Sequence, residues 1–374
     1  MIDAKLPDAR NKAHRPLPGS SLPATGDGPP IESPFKNTMA MIRWNSAHPE
    51  RVPLLMKYAP FFHTVHISMP DMLPSRPKDF HNLTHDQFSS SFLAYEQVAR
   101  TMRLVLDEHP DIDGLMYYHF DAWIHPMRFA GMNPYDIWFL NTIDVAPPAG
   151  GGPNFMCMND TKDYHWWGWR DDIHKAALAA SEAVSNFKDL AYDVRPGEWC
   201  IGWSDIYYIP RRFFADYIFL AEIFNAFGVF HEVAVPTMVA MIDRSRRRNP
   251  HTPVLDQIGD CWGSCCANDP TVRQVLWHRC GHRLDYRQQG IVDAFFEILD
   301  DQAALIGKPL PHTRYALGKD FDASVFNRTV LEVLGKGDVE GVVPSVEDEP
   351  GVDKQAETWK EGVLDGGRSD LPTG

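Results

Sequence analysis

Residues 114–123 read Gly-Leu-Met-Tyr-Tyr-His-Phe-Asp-Ala-Trp, an apolar run that gives way to the polar residues His119 and Asp121. A short apolar run that follows a proline and a polar turn predicts a buried β-strand. In open parallel sheets, ligands bind beyond the carboxyl ends of the strands. His119 and Asp121 are therefore the first residues to consider for a functional site.

Apolar runs and helical patterns alternate on both sides of this segment. The elements expected before it are a strand at 38–44, a helix at 49–58, a strand at 64–68 and a long amphipathic helix at 88–108. The elements expected after it are a helix at 175–189, a strand at 198–209, a helix at 211–227 and a strand at 229–234. Such alternation predicts an α/β fold with a mainly parallel, Rossmann-like sheet flanked by helices.

Composition separates one core from two tails. Residues 1–36 are rich in Pro, Gly, Ser and Ala and predict a flexible arm. Residues 336–374 are rich in Gly and acidic residues and predict a disordered acidic tail. No Pro- or Gly-rich linker divides residues 37–335, so we expect them to form a single core around one sheet.

The charge balance limits the classes of partner. With 36 basic and 50 acidic residues, the chain carries a net charge of −14, which disfavours nucleic acid and anionic lipid. The sequence has neither a segment typical of a membrane span nor a signal peptide, which predicts a soluble, cytoplasmic protein. A missing N-terminal anchor would instead make the Golgi lumen the compartment.

His119 and Asp121 have the spacing of a metal-binding pair. Residues two apart at a strand end point to the same side, and an imidazole with a carboxylate suits a divalent cation. The alternative is that Asp121 caps a turn and His119 is a buried histidine with its hydrogen bonds satisfied. Both interpretations are open at this point.

The order of these elements, ending in Tyr-Tyr-His-Phe-Asp at 117–121, resembles nucleotide-sugar glycosyltransferases of the GT-A type. In that family the third or fourth strand ends in an Asp-x-Asp motif, whose metal bridges the diphosphate of the donor. The resemblance implies a GT-A-like sheet with a nucleotide-binding half at 37–145 and an acceptor half at 146–335. It matches Asp121 to the second aspartate and leaves His119 in the place of the first.

The resemblance also implies the cofactor, the substrates and a catalytic base. The cofactor would be a divalent metal, Mn(II) first, and the partners would be a nucleotide-sugar donor and an unidentified acceptor. An inverting enzyme needs a carboxylate base near the acceptor hydroxyl. Asp205, in a Trp-Ser-Asp-Ile-Tyr-Tyr segment, and Glu232, in a Phe-His-Glu-Val segment, are the two candidates.

Aromatic residues make up 12% of the chain, and flat rings suit the stacking of sugars or bases. One group of them follows a Gly- and Pro-rich loop, where binding residues are common. A hydrophobic plug that ties this loop down is the competing interpretation. The residues expected to bind donor or acceptor are Trp44, Tyr118, Trp166, Trp167, Trp169 and Arg170.

Six cysteines are too few for a disulfide scaffold. The stretch from Cys261 to His282 contains cysteines and histidines, but their spacing is not that of a zinc finger or ribbon. We expect partly buried free thiols there, or one disulfide in a secreted protein.

Two other functions compete with glycosyl transfer. His119 and Asp121 are also two members of the 2-His-1-carboxylate set of non-heme iron 2-oxoglutarate oxygenases, with His312 as the candidate third ligand. That interpretation requires an antiparallel barrel. A non-catalytic carbohydrate-binding protein is the third hypothesis. The phosphate loop, the GxGxxG fingerprint and the GxSxG elbow are all missing from the sequence.

Overall fold

The computed structural model describes residues 30–44, 51–69, 83–87, 94–140, 155–159, 173–247, 249, 251–263 and 269–307. The elements of its first half are, in chain order, β1 (Thr38–Arg43), α1 (Val52–Leu55), β2 (Thr64–Met69), β3 (Leu83–Gln87), α2 (Ala94–Glu108), β4 (Gly114–His119), β5 (Ala122–Ile124), β6 (Ile137–Leu140) and β7 (Phe155–Met158). Those of the second half are α3 (Ile173–Ser185), β8 (Trp199–Gly202), β9 (Ile206–Pro210), α4 (Phe214–Ala226), α5 (His231–Arg246), β10 (Leu255–Ile258), β11 (Cys261–Trp262), α6 (Val272–Trp277), β12 (Cys280–His282) and α7 (Gln289–Ala303).

A seven-stranded, mostly parallel sheet organises the molecule. Its strand order is β10-β6-β9-β4-β1-β2-β3, so both halves of the chain contribute to it. Strand β9 runs antiparallel to its neighbours β4 and β6, whereas the other pairings are parallel. The predicted parallel pairing of the strands near 38–44, 64–68 and 114–120 is confirmed.

Helices cover both faces of this sheet. In β1, Met39 and Met41 pack with the helices α2, α3, α4 and α5, while Ala40 and Ile42 pack on the opposite face with α7. A strand that is buried on both faces has no polar side, which explains why β1 reads as a continuous apolar run.

Two small sheets complete the described fold. Strands β11, β12 and β5 form one, in which β12 runs antiparallel to β5. Strands β7 and β8 form the other as an antiparallel pair. Among the described helices, none is both long and apolar enough to cross a membrane.

The predicted strand at 229–234 is wrong, because these residues lead into and begin helix α5. The residues of α5 from Val233 to Asp243 are all buried, so the helix has no polar face along that length to give a period of 3.6 residues. Periodicity alone does not separate such a helix from a buried strand. Pro236 ended the predicted strand but lies inside the helix, in its second turn.

Two predicted strands are each divided by a turn. The segment 198–209 forms β8 and β9, separated by Trp203, Ser204 and Asp205. The segment 114–123 forms β4 and the start of β5, separated by Phe120 and Asp121. Both turns place polar side chains at the same end of the sheet, since the backbone N–H of His119 donates to the carbonyl of Asp205 at 3.0 Å.

The core begins earlier in the chain than the predicted boundary at residue 36. Ile31 and Phe35 are buried, and the ring of Phe35 stacks on that of Phe62 at 4.7 Å. Residues 1–29 and the predicted acidic tail at 336–374 lie outside the described residues.

The described residues contain two disulfides, one of them in the stretch from Cys261 to His282, where free thiols or one disulfide were expected. Cys157 bonds to Cys200 between β7 and β8, and Cys261 bonds to Cys280 between β11 and β12. In both pairs the cysteines are direct partners in the strand register, which brings their side chains within bonding distance. Their sequence spacing gave no sign of this, because the strand pairing is long-range.

Candidate metal centre

The predicted site lies where the strand order of the large sheet reverses. From β1 the chain proceeds outward through β2 to β3, and then returns to place β4 on the other side of β1. The carboxyl ends of β1 and β4 are therefore adjacent, with Arg43 opposite His119 in the register. Such a reversal point is where open α/β sheets bind ligands.

A tight turn presents Asp121 at this edge. After His119 the chain turns at Phe120 and continues as β5. The turn is held by the N–H of Leu284, which donates to the carbonyl of Asp121 at 2.5 Å, and by the hydroxyl of Tyr286, which donates to the carbonyl of Phe120 at 3.0 Å. Both donors come from the segment that follows β12.

The pairing of β12 with β5 brings a third side chain to the turn. His282 is opposite Ala122 in the antiparallel register, next to Asp121. Its Nε2 lies 3.1 Å from Oδ1 of Asp121, and Nδ1 of His119 donates to the same oxygen at 2.5 Å. The ligand atoms of His119, Asp121 and His282 all lie within 4.8 Å of one another.

Gly281 lets β12 approach closely enough for this contact. A β-carbon at Gly281 would overlap the six-membered ring of Trp123, which is fully buried in β5. The position requires the absence of a side chain, because the indole of Trp123, the register partner of Gly281, occupies the space that the side chain would fill. The disulfide from Cys280 to Cys261 holds the same short strand from its other side.

Opposite charges dominate the electrostatics of the three ligands. Burial alone would raise the pKa of Asp121, but His282 and His119, through their charge and hydrogen bonds, hold it well below its usual range. Burial opposes the charging of His282, but Asp205 and Asp121 together raise its pKa to about 9. Asp121 is thus ionised at neutral pH, and His282 carries a proton that a metal ion would displace.

Two imidazoles and one carboxylate form a donor set that fits a divalent transition metal. Imidazole nitrogen suits zinc, iron and copper, carboxylate oxygen suits manganese, and three protein ligands leave coordination positions for a substrate. His119 and Asp121 were both predicted from the sequence. His312, the predicted third ligand of the oxygenase hypothesis, lies outside the described residues.

Asp205 lies directly beside the metal ligands. It ends the turn between β8 and β9, and its Oδ2 is 3.9 Å from Nδ1 of His282. The two nitrogens of the His282 ring therefore face different carboxylates. A metal-binding histidine commonly has a carboxylate near its second nitrogen, which orients the ring.

Glu232 lies behind Asp205 in the first turn of α5. Its Oε2 is buried without a hydrogen-bond partner among the described residues. Burial, and then the charge of Asp205, raise the pKa of Glu232 well above its usual value, with His282 opposing. Burial also lowers the pKa of His231 to about 4, although Asp205 opposes this, and its Nε2 donates to the carbonyl of Ser204 at 3.1 Å. His231 is therefore uncharged at neutral pH, and the environment of Glu232 favours its neutral form.

The residues predicted to bind donor or acceptor fall into three groups. Trp44 adjoins the centre, with its ring stacked on that of Phe120 at 3.7 Å. Tyr118 is fully buried against Tyr58 at 5.2 Å, on the sheet face away from α2, where it serves as a core residue. The remaining four predicted residues, Trp166, Trp167, Trp169 and Arg170, lie outside the described residues.

Comparison with models of known protein families and with curated protein sequences finds no match. The case for a function therefore depends on the geometry of the centre.

His282 is the member of this candidate centre that sequence reasoning did not assign. It belongs to the Cys- and His-containing stretch in which a zinc site was considered, but Cys261 and Cys280 are bonded to each other and His278 pairs with Asp260 at 3.1 Å. Its one sequence signal is the short Cys-Gly-His strand, in which a glycine lies next to a potential ligand.

Proposed function

We propose that the chain is a glycosyltransferase-like enzyme that transfers a sugar from a nucleotide-sugar donor to an acceptor with the help of a divalent metal. The observation that carries the proposal is the group formed by His119, Asp121 and His282 at the carboxyl end of β4. This end lies at the reversal of strand order in a mostly parallel sheet.

The resemblance to GT-A glycosyltransferases supports the same conclusion. The motif His-Phe-Asp begins at the last residue of β4, the fourth strand of the chain, and Asp121 takes the place of the second aspartate of Asp-x-Asp. His119 differs from the family pattern, yet it supplies a ligand atom, and His282 adds another. A GT-A-like sheet and Mn(II) as the preferred ion are parts of this proposal.

The three side chains would hold the cation with their imidazole nitrogens and one carboxylate oxygen. A bound cation would stabilise the negative charge that develops on the leaving diphosphate. Asp121 supplies the one anionic ligand, and hydrogen bonds to the backbone of 120–121 fix the turn that presents it. Replacement of the Asp121 carboxylate by a neutral amide should therefore lower the affinity for the metal more than replacement of either histidine.

Asp205 is the better candidate for the catalytic base. A base must accept a proton, and burial together with the charge of Asp205 raises the pKa of Glu232, which favours its neutral form. Asp205 lies at the protein edge next to the ligands and keeps about a fifth of its side chain exposed (19%). We propose that Asp205 takes the proton from the attacking hydroxyl of the acceptor and that Glu232 acts as a neutral neighbour. The tryptophans at 166, 167 and 169 remain the proposed stacking surface for the sugar.

The ligand set favours a second candidate function, that of a non-heme iron oxygenase. Two histidines and one carboxylate are the ligand set of non-heme iron oxygenases. The sheet argues against it, since six of its seven strands run in one direction and the oxygenase hypothesis requires an antiparallel barrel.

Thermal unfolding with added ligands separates these functions, because a ligand that binds the native state raises the melting temperature. The probes are UDP and GDP with Mn²⁺, and 2-oxoglutarate with Fe²⁺ under anaerobic conditions. We expect stabilisation by a nucleoside diphosphate that requires the metal. A response to 2-oxoglutarate alone would favour the oxygenase, and a response to neither would favour a non-catalytic carbohydrate-binding protein.

The two disulfides bear on the compartment. Disulfides persist in oxidising compartments and are rare in the cytosol, so we propose the secretory pathway rather than the cytoplasm. Mass spectrometry after alkylation without reduction should recover both cysteine pairs as linked peptides from protein in its native source. Alkylation of all four thiols would contradict this.

A further inference from the structure

Arg51 lies against three aromatic rings at the edge of the metal centre. Its guanidinium carbon is 5.2 Å from the ring centroid of Trp44, 5.9 Å from that of Phe120 and 5.0 Å from that of Tyr286. A guanidinium in such contacts gains cation–π energy, and its position is fixed by the rings. The three rings are themselves stacked, with Trp44 on Phe120 at 3.7 Å and Phe120 on Tyr286 at 5.7 Å.

These rings connect Arg51 to the metal ligands. Phe120 is the residue between His119 and Asp121, and the hydroxyl of Tyr286 donates to its carbonyl at 3.0 Å. The pKa of the Tyr286 phenol responds to Asp121 and to Arg51. Burial and the Asp121 carboxylate raise this pKa, and the Arg51 guanidinium opposes them. Tyr286 therefore has the anionic ligand and the guanidinium near it at the same time.

The chemistry of this arrangement suits a phosphate group. Contact with aromatic rings uses the face of a guanidinium, whereas its N–H donors lie in its plane, in a fork that matches phosphate oxygens. A metal ion at Asp121 would bind oxygens of the same anion. Arg51 lies just before helix α1 and adds positive charge to a net acidic protein.

We propose that Arg51 binds the diphosphate of the donor, with the stacked rings of Trp44, Phe120 and Tyr286 holding its guanidinium toward the metal centre. The inference rests on the proposed function, and it assigns the anionic part of the substrate to a residue outside the three ligands. The expected substrate class is a metal-bound diphosphate ester.

Calorimetric titration of the Mn²⁺-loaded protein with inorganic pyrophosphate, and separately with UDP, tests the assignment. We expect R51Q to bind both about 10–100-fold more weakly, the effect of losing hydrogen bonds between charged groups. R51K, which keeps the charge without the planar fork, should fall between R51Q and the native chain. Mn²⁺ affinity should stay unchanged in both variants.

R103Q is the matched control, because Arg103 is an exposed arginine of α2 that pairs with Glu222. It should leave pyrophosphate and UDP binding unaltered. Binding of both probes to R51Q and R51K within a factor of about three of the native chain would overturn the assignment, as would failure of the native protein to bind pyrophosphate. Pyrophosphate binding that depends on Arg51, without any binding of UDP or GDP, would uphold Arg51 and refute the nucleotide-sugar function.

Discussion

His282 Nε2 lies 3.1 Å from Asp121 Oδ1, although the two residues belong to distant parts of the chain. The contact depends on the antiparallel pairing of β12 with β5, which sets His282 opposite Ala122. A two-residue motif at a strand end becomes a three-ligand centre through this pairing.

Replacement of His282 should remove metal binding while the fold survives. We expect H282A to weaken Mn²⁺ affinity by more than about 100-fold, since loss of outer-shell partners alone costs 10–100-fold. The control is H63A, because His63 is an exposed histidine outside the centre. Titration of both variants with Mn²⁺, followed by calorimetry, measures the difference. Equal affinity in H282A and H63A would exclude His282 as a ligand.

Gly281 should be intolerant of even a methyl group. In G281A the new β-carbon overlaps the buried ring of Trp123, and overpacking of this kind costs about 1–3 kcal/mol. We expect a lower melting temperature together with weaker Mn²⁺ binding, because β12 must shift and carries His282 with it.

G290A provides the comparison for G281A. Gly290 lies in the first turn of α7 with open space around it, so alanine should leave stability unchanged or raise it by up to about 1 kcal/mol. Thermal unfolding of G281A and G290A under the same conditions compares their melting temperatures. A native melting temperature and native Mn²⁺ affinity in G281A would contradict the close packing of β12 on Trp123.

Metal binding should be coupled to proton release from His282. The pKa of this residue is raised to about 9, so below that pH a metal ion competes with a proton for the imidazole. Affinity should therefore rise about tenfold per pH unit between pH 7 and 8.5, and level off above about pH 9. Calorimetry in buffers with different ionisation enthalpies counts the protons released. Affinity that is constant over this range would show either that His282 is already neutral at pH 7 or that it does not bind the metal.

The two acids behind the centre should respond differently to amide substitution. Glutamine resembles a protonated glutamate, so E232Q should keep turnover within about threefold of the native value, whereas D205N should lose on the order of 10²–10⁴-fold if Asp205 is the base. Sugar transfer from the donor that binds best measures turnover, at saturating Mn²⁺ and donor, so that a change in metal affinity caused by the contact of Asp205 with His282 does not count as a loss of turnover. Loss of turnover in E232Q with normal turnover in D205N would reverse the assignment.

The sequence predicted the parts of the molecule whose signals are local. The apolar runs of β1, β2 and β4 and the polar pair at the end of β4 follow from patterning within a few residues. Helix α5 was predicted wrongly because most of it is buried on all sides and has no amphipathic period. The cysteine pairs and His282 depend on which short strands pair across long stretches of chain, and a single sequence does not contain that information in any local form.

Arg51 illustrates the same limit. In the sequence it is one of many basic residues, near the start of the helix expected at 49–58. Its position against Trp44, Phe120 and Tyr286 results from packing among three separate segments. Trp44 and Tyr118 were both expected to bind donor or acceptor because flat aromatic rings suit the stacking of sugars or bases. Because successive side chains of a strand point to opposite faces of the sheet, the ring of Tyr118 instead points into the core.

The central claim is that a metal held by Asp121 and its two histidines recruits a nucleoside diphosphate. Calorimetric titration of UDP and GDP into the native chain and into D121N, each with and without Mn²⁺, tests it most directly. We predict that at least one nucleotide binds the native chain only when Mn²⁺ is present, and that D121N, with its fold retained, loses about 10²–10³-fold of that metal-dependent affinity and of sugar transfer. Equal nucleotide binding by D121N and the native chain, or binding that does not depend on metal, would contradict the account.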